Sequence, residues 1–145
     1  MFSMNEDHFD LQRFIDAQEL MYPYALKEIK AGRKRSHWMW FVFPQLEGLG
    51  QSATAIKFSI KSKDEAMAYL NHSILGKRLR EITEELLTLE GKSVADIFGA
   101  PDDMKLKSSM TLFDAISPND IFNDVIDKYC ESKQDFQTVA ILENL

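Results

Sequence analysis

The residues with the most evident chemical potential lie in one short stretch, "SHWMWFVFPQLEGLGQS", at positions 36–52. His37 can act as a general acid or base near neutral pH, and it adjoins two tryptophans, Trp38 and Trp40. Every position from 38 to 43 is apolar, so the segment is either buried on all sides or lines a pocket. Two interpretations stay open: a core segment whose indole N–H groups find backbone acceptors, or a pocket wall in which one tryptophan stacks on a planar ligand.

Positive charge is concentrated immediately before the aromatic segment, in "KEIKAGRKRSH", where five cations accompany one acid, Glu28. These cations are Lys27, Lys30, Arg33, Lys34 and Arg35. One interpretation is a solvated helix C-terminus, where cations complement the helix dipole. The other is an anion site in which Arg33, Lys34 or Arg35 neutralises a ligand beside the aromatic rings, as in proteins that bind nucleotides or single-stranded nucleic acid.

Glycines follow the aromatic segment, and Gly48, Gly50 and Ala53 fit the G-x-G-x-x-A dinucleotide-binding pattern. The βαβ context of that pattern is missing, so the sequence does not predict a dinucleotide-binding fold. Ser52 can cap a following helix, and a glycine turn before a helix brings backbone N–H groups close to a phosphate or carboxylate. A plain tight turn is the alternative. Gln45 is the further candidate ligand contact in this stretch.

A third block, "FGAPDDMKLKSSMTLF" at positions 98–113, gathers acidic, basic and hydroxyl side chains. Its functional interpretation makes Asp103 a general base and makes Lys105 and Ser108 phosphate contacts. Its structural interpretation is a capped helix in which Asp103 and Lys107 form an ordinary surface ion pair. The sequence does not establish whether this block lies near Trp38.

Other reactive residue types give weaker signals. His8, His37 and His72 are far apart in the sequence and form no H-x-x-x-H pair, so we expect no metal site. Cys130 lies on an apolar stripe and is predicted to belong to the core rather than to act as a nucleophile. The sequence contains neither a G-x-S-x-G elbow nor a P-loop, and we expect no cofactor.

Helices must position these residues, because most apolar side chains recur at three- and four-residue steps, most regularly at Leu75, Leu79, Ile82, Leu86 and Leu89. The spacing predicts an amphipathic helix over residues 9–31. Pro23 is expected either to kink this helix or to divide it into two helices. Capping signals open later helices at 62–65, 93–96, 101 and 117–120. The strand candidates, "MWFVF" at 39–43 and "AIKFSI" at 55–60, are too few for a doubly wound sheet. We therefore predict a mainly α, compact, irregular multi-helical single domain over residues 1–145.

Composition limits the function classes. The 145 residues carry a formal net charge of −6, which argues against bulk attraction to nucleic acid or to an anionic membrane. No apolar run approaches the roughly 20 residues of a membrane span, and the N-terminus lacks the layout of a signal peptide. With a single cysteine, these features predict a cytoplasmic protein with no membrane partner, and they disfavour nucleic acid as a partner without excluding it. The oligomeric state is not predicted.

Three blocks together carry a family resemblance: "SHWMWFVFPQLEGLGQS", "DEAMAYLNHSILGKRL" and "IFGAPDDMKLKSSMTLF", followed by a short helix and "DFQT". In this order they resemble a family of uncharacterised, mainly bacterial, single-domain proteins of unknown function, some of which carry a calpastatin-like label. The resemblance implies a compact multi-helical fold and brings no substrate, cofactor or catalytic residue. Calpain-inhibiting segments are disordered and polar, whereas this chain is aromatic and compact, so we do not transfer that label.

Two function classes follow from these residues. In the first, the protein binds or processes a small anionic ligand, with a nucleotide-like compound as one candidate, and His37 or Asp103 assists hydrolysis or group transfer if it is an enzyme. In the second, it is a non-enzymatic interaction module whose aromatic segment is core and whose basic patch meets an acidic partner. A concave pocket that touches both the aromatic segment and the third block favours the first class.

Overall fold

The structure is a computed structural model that describes residues 7–145. Within that range the chain forms one all-helical domain of nine helices without a β-strand, which confirms the mainly α prediction. The assignment of residues 1–145 as a whole to one domain stays a prediction. The helices are α1 (Gln12–Lys30), α2 (Met39–Val42), α3 (Ala53–Lys57), α4 (Lys63–Asn71), α5 (Leu75–Thr88), α6 (Val94–Phe98), α7 (Asp102–Ile116), α8 (Ile121–Tyr129) and α9 (Phe136–Glu143).

Helix α1 is a single helix that continues through Pro23, so the predicted division into two helices did not occur. Pro23 lies on the exposed side, where water can solvate the carbonyl that loses its helical partner. The opposite face buries five side chains at helical spacing: Phe14, Gln18, Tyr22, Ala25 and Ile29. The chain turns out of α1 at Gly32, whose φ of 80° is the left-handed conformation typical of a residue just after a helix.

The prediction of a strand at 39–43 is wrong, because this segment contains the one-turn helix α2. The backbone N–H of Val42 donates to the carbonyl of Trp38 at 3.1 Å, which closes the helical turn. A helical turn directs neighbouring side chains to different sides, so Met39 and Val42 are buried whereas Trp40 is half-buried. An unbroken apolar run cannot reveal this period, which explains the error.

The second strand candidate, at 55–60, is also wrong. Its first half belongs to α3, and its end forms only an isolated parallel bridge between Leu46 and Ile60. This bridge ties the segment after α2 to the segment after α3. The connection therefore holds the aromatic segment in place without a sheet.

Helices α5, α7 and α8 form the centre of the core. The predicted stripe of α5 is buried, and α7 packs on α8 through the rings of Phe113 and Phe122, whose centroids are 5.7 Å apart. Helices α4 and α5 approach so closely that a Cβ atom at Gly76 would lie 1.9 Å from the carbonyl oxygen of Leu70. Glycine is therefore required at position 76.

The predicted capping signals position the remaining helices. The side chains of Ser62, Ser93 and Asp120 cap α4, α6 and α8, and Ser93 with Asp96 forms a complete capping box. Pro101 lies one residue before its predicted place, since α7 begins at Asp102. This shift moves the first acidic side chain of α7 to the helix start, next to the aromatic segment.

Candidate functional site

Glu28, near the end of α1, holds the following loop in position. Its Oε1 accepts hydrogen bonds from the backbone N–H groups of Arg35 at 2.8 Å and Ser36 at 3.0 Å, and from Trp38 Nε1 at 2.9 Å. Its Oε2 accepts a bond from Ser36 Oγ at 2.5 Å. Burial alone would raise the pKa of Glu28, but these hydrogen bonds prevail and lower the pKa to about 2. The carboxylate is therefore ionised and bound to the loop over the physiological pH range.

Trp38 is a core residue, with 1% of its surface exposed. Its ring packs against Phe43 and Phe98 at centroid distances of 6.1 and 6.4 Å, and its N–H is bound by Glu28 rather than by a backbone acceptor. Because the ring is enclosed in this way, Trp38 forms the floor of the site and is not free to stack on a ligand. Of the two tryptophans, only the half-buried Trp40 offers an accessible ring.

Lys34 connects the aromatic segment to the third block. Its Nζ donates to the carbonyl of Ser36 at 2.6 Å and forms an ion pair with Asp102 Oδ2 at 2.7 Å. The same ammonium lies 5.0 Å from the ring centroid of Trp38, within the range of a cation–π interaction. The Lys34 side chain is 7% exposed, so these contacts are made in a largely desolvated position.

Lys105 repeats this arrangement from the opposite side. Its Nζ lies 3.2 Å from Asp102 Oδ1 and 4.4 Å from the ring centroid of Trp40. Asp102 is therefore shared between two ammonium groups, each of which lies over one of the two tryptophan rings. Burial alone would raise the pKa of Asp102, but Lys34 and then Lys105 lower it.

These residues surround a cavity of about 120 Å³, which we call the lysine–tryptophan pocket. Its polar lining is Lys34, His37, Thr54, Asp102 and Lys105, and its apolar lining is Trp38, Met39, Trp40 and Phe41. The third block therefore does lie beside the aromatic segment, a contact that the sequence left open. A closed apolar cavity of about 150 Å³ holds one benzene ring, so the pocket admits a group of about one ring or less.

Several hydrogen-bond donors of the pocket have no acceptor among residues 7–145. The ammonium of Lys105 has three N–H donors, and Asp102 accepts only one of them. The ring of His37 and the hydroxyl of Thr54 are exposed and make no hydrogen bond with the described residues. The pocket surface thus offers unused N–H groups of Lys105, together with a His37 ring and a Thr54 hydroxyl that can each donate or accept a hydrogen bond.

A second, more open cavity of about 490 Å³ adjoins the pocket, and Lys34 lines both. We call it the basic groove. Its charged residues are Arg33, Lys34, Lys92 and Asp96, and its other lining residues are Ala95, Ile97, Phe98 and Gly99. The backbone N–H of Lys34 donates to the carbonyl of Ile97 at 2.7 Å, which joins this loop to α6.

A family model described as "Protein of unknown function (DUF1810)" matches residues 8–142. The chain belongs to this family. A solved structure, the crystal structure of the conserved hypothetical protein Rv1873 from Mycobacterium tuberculosis, is 50% identical in sequence and superimposes with a TM-score of 0.93. The match covers 94% of this chain and 99% of that chain. A comparison with curated proteins found no match. The predicted resemblance is thereby confirmed, and it carries no ligand or reaction with it.

Part of the predicted site of this DUF1810 protein lies in the two cavities. His37, Lys34, Trp38, Trp40 and Lys105 line the pocket, and Arg33 lines the groove. Arg35 is exposed and lines neither cavity, although its backbone N–H is bound by Glu28. Of the five cations in this stretch of sequence, only Arg33 and Lys34 therefore line a cavity.

Asp103, the predicted general base of the third block, does not line the pocket. Asp103 Oδ1 accepts a hydrogen bond from the backbone N–H of Met104 at 2.8 Å, and its neighbour Asp102 enters the pocket instead. Ser108 is buried and donates to the carbonyl of Met104 at 3.1 Å, so its hydroxyl is satisfied within its own helix. Neither Asp103 nor Ser108 lines the pocket or the groove.

The glycine turn packs behind the site instead of closing over it. A Cβ atom at Gly50 would lie 2.6 Å from Trp40 Cη2, so this glycine allows the turn to pack directly against the indole. Ser52 caps α3 by accepting the backbone N–H of Ala55 at 3.1 Å, as predicted for a cap. Gln45 is buried, and its backbone carbonyl accepts from Ile60. Neither these residues nor Gly48 line the pocket or the groove.

Sequence reasoning did not select Glu28, Thr54, Lys92 or Asp102 as site residues. Lys92 precedes a capping serine and carries no distinguishing sequence signal. The sequence showed that an aspartate, Asp102 or Asp103, begins α7. Which of the two faces Lys34 depends on the rotation of the helix about its axis, which the sequence does not give.

Within residues 7–145, no group of three or more His, Cys, Asp or Glu side chains is arranged to hold a metal, and no helix is long and apolar enough to cross a membrane.

Proposed function

We propose that this protein binds a small anionic ligand in the lysine–tryptophan pocket. The proposal is carried by one observation: Lys34, from the loop after α1, and Lys105, one turn further along α7, both form an ion pair with Asp102, and both lysines line the same cavity. With His37 neutral, two positive charges and one negative charge leave the pocket with a net charge of +1. A ligand group with one negative charge restores neutrality there.

The contacts available to such a ligand follow from the unused donors. Lys105 offers its remaining N–H groups, and His37 and Thr54 can add hydrogen bonds from the rim. The exposed part of Trp40 provides an apolar wall for the rest of the ligand. Because the lysine side chains are 7% and 22% exposed, their attraction for an anion is screened less than at an open surface.

The pocket volume bears on ligand size. A site for a whole drug-sized molecule has a volume of roughly 300 Å³ or more, whereas this pocket has about 120 Å³. The pocket therefore takes a compact anionic group, and only one end of a nucleotide-like compound enters it. We retain cytoplasmic residence as part of the proposal, with no membrane as partner and with nucleic acid disfavoured rather than excluded.

Replacing Lys105 by Met tests the proposal. Methionine keeps most of the apolar stem and the helix propensity, while Asp102 retains its ion pair with Lys34. We expect inorganic phosphate to raise the melting temperature of the wild type, and we expect Lys105→Met to weaken phosphate binding by about tenfold, equivalent to about 1.4 kcal/mol. Calorimetric titration at constant ionic strength measures this change.

Lys107→Met provides the matched control, since Lys107 lies on the same helix and lines neither cavity. It removes the same charge from α7 and is expected to bind phosphate as the wild type does. Equal loss of binding in the two variants, or no binding of phosphate by the wild type at about 10 mM, would contradict the proposal.

A further inference from the structure

The basic groove contains two cations that have no carboxylate partner among residues 7–145. Arg33 and Lys92 are both exposed and line the groove, and neither has an acidic oxygen within the 4.0 Å of an ion pair. Like charges that share a cavity repel each other unless an anion lies between them. These two cations form a locally positive area on a chain whose net charge is −6.

Asp96, the acid that lines the groove together with these cations, is already used for another purpose. Its carboxylate accepts the backbone N–H of Ser93 at 2.9 Å in the capping box of α6. This bond is the main reason why the pKa of Asp96 is lowered. The carboxylate therefore serves to begin the helix. It attracts Lys92 through space without a direct ion pair, so the N–H donors of both cations are available to a ligand.

Local packing keeps the groove open and holds its cations in place. The stem of Lys92 lies over Gly32, since a Cβ atom at Gly32 would lie 3.0 Å from Lys92 Cε. Gly99 has a φ of 70° and empty space where a side chain would start, so it adds no side chain to the groove. A larger residue at position 99 would adopt this conformation only with strain.

Lys34 makes the groove and the pocket continuous. The residue lines both cavities, so an anion at Lys105 and an anion at Arg33 or Lys92 would be neighbours. The charged side chains of the two cavities leave a net charge of +2, with His37 neutral. These side chains are Arg33, Lys34, Lys92, Lys105, Asp96 and Asp102.

We propose that the ligand is a diphosphate, with one phosphate in the lysine–tryptophan pocket against Lys34 and Lys105 and the linked phosphate in the basic groove against Arg33 and Lys92. This inference rests on the proposed function, since Lys34 belongs to both subsites. Two linked phosphate groups match two adjoining cationic positions, and a diphosphate diester carries the two negative charges that the combined site lacks. Guanidinium and ammonium groups are the side chains that bind phosphate oxygens most effectively.

Inorganic phosphate and pyrophosphate are the probes that distinguish one subsite from two. The wild type is expected to bind pyrophosphate at least about tenfold more tightly than phosphate, because the second group gains contacts at a high effective concentration. The double variant Arg33→Gln/Lys92→Met is expected to lose this advantage while it still binds phosphate within about twofold of the wild type. Both residues are exposed, so the variant is expected to fold.

The double variant Lys27→Met/Lys30→Met is the matched control, since it removes the same charge from the neighbouring end of α1, outside both cavities. It is expected to keep the preference for pyrophosphate. The inference is overturned if wild type binds pyrophosphate no more tightly than phosphate, or if the two double variants lose equal affinity. If phosphate binding still depends on Lys105 in that case, the proposed function stands without the second subsite. If neither probe binds wild type, both proposals fail.

Discussion

At the residue scale, Glu28 shows how a single carboxylate organises a site without contacting its cavity. Four hydrogen bonds reach its two oxygens, and all four come from residues 35–38, between the cations and the aromatic segment. One bond fixes the indole of Trp38, which is the surface over which the Lys34 ammonium lies. The position of Lys34 relative to Asp102 therefore depends on an acid that lines neither the pocket nor the groove.

Glu28→Gln tests this role through stability. The amide N of glutamine cannot accept the bonds that the second carboxylate oxygen accepts, so we expect the free energy of unfolding at pH 7 to fall by about 1.5–3 kcal/mol. The pKa of Glu28 is about 2 in the folded protein and 4.5 in the reference state, a depressed pKa. Its stabilisation is thus fully present above pH 4.5 and is lost as the pH falls towards 2. Urea unfolding across this pH range measures the difference.

Glu84→Gln, on the exposed side of α5, is the control and is expected to change stability by less than about 0.5 kcal/mol. The difference between wild type and Glu28→Gln should shrink as the pH falls. A difference that persists unchanged at the acid end of the range would show that the charge of Glu28 does not stabilise the loop.

At the element scale, α1 is a helix in which the tertiary packing overrides an unfavourable local residue. Proline in a helix interior costs about 3 kcal/mol relative to alanine, yet α1 continues for 19 residues across Pro23. The buried face formed by Phe14, Tyr22 and Ile29 lies opposite the proline and keeps both halves on the core. The stripe was visible in the sequence, but the strength of its packing was not.

Pro23→Ala is expected to restore the missing helical hydrogen bond and to raise the free energy of unfolding by up to about 3 kcal/mol. Thermal and urea unfolding both measure this change. Tyr24→Ala is the control, since its side chain is 60% exposed at the next position and should change stability by less than about 0.5 kcal/mol. Equal stability of Pro23→Ala and wild type would mean that α1 gains no hydrogen bond at this position.

The difference between local patterns, which are visible in the sequence, and tertiary packing, which is not, explains how far the sequence predicted the helices. Stripes and caps revealed α5, α8 and the start of α4, because amphipathic spacing and serine caps are local signals. The one-turn helix α2 was missed because an all-apolar run has no visible period. At the site, the residue types of the loop and of the third block were sufficient to select Lys34, Trp40 and Lys105. The meeting of Lys34 with Asp102 was not predictable, since it depends on how α7 packs against the aromatic segment.

At the scale of the whole molecule, the site is a small positive area on an acidic protein. The net charge of −6 repels polyanions at long range, whereas the pocket and groove attract an anion only at short range. A small ligand approaches closely enough to be held by the local charges. A long polyanion also meets the rest of a protein whose net charge is negative.

We therefore expect single-stranded DNA to bind weakly. In about 0.15 M salt, a labelled oligonucleotide should show a Kd weaker than about 10⁻⁴ M, the weak end of non-specific nucleic-acid binding. Fluorescence anisotropy measures this, and repetition at lower salt shows any residual electrostatic attraction. Saturable micromolar binding that pyrophosphate competes away would instead identify nucleic acid as the ligand of the site.

Under the proposed function, Asp102, shared between two ammonium groups, would also govern which anions can enter. Because it is tethered beside Lys34 and Lys105, its carboxylate acts as a built-in competitor at a high effective concentration. An incoming anion therefore gains only the contacts that the Asp102 carboxylate does not already make with the two ammonium groups. Weakly held anions such as chloride would therefore gain little, whereas an anion with more charge and more acceptor oxygens would bind the donors that Asp102 leaves unused. Discrimination between anions is in this way a property of a residue that itself carries a negative charge.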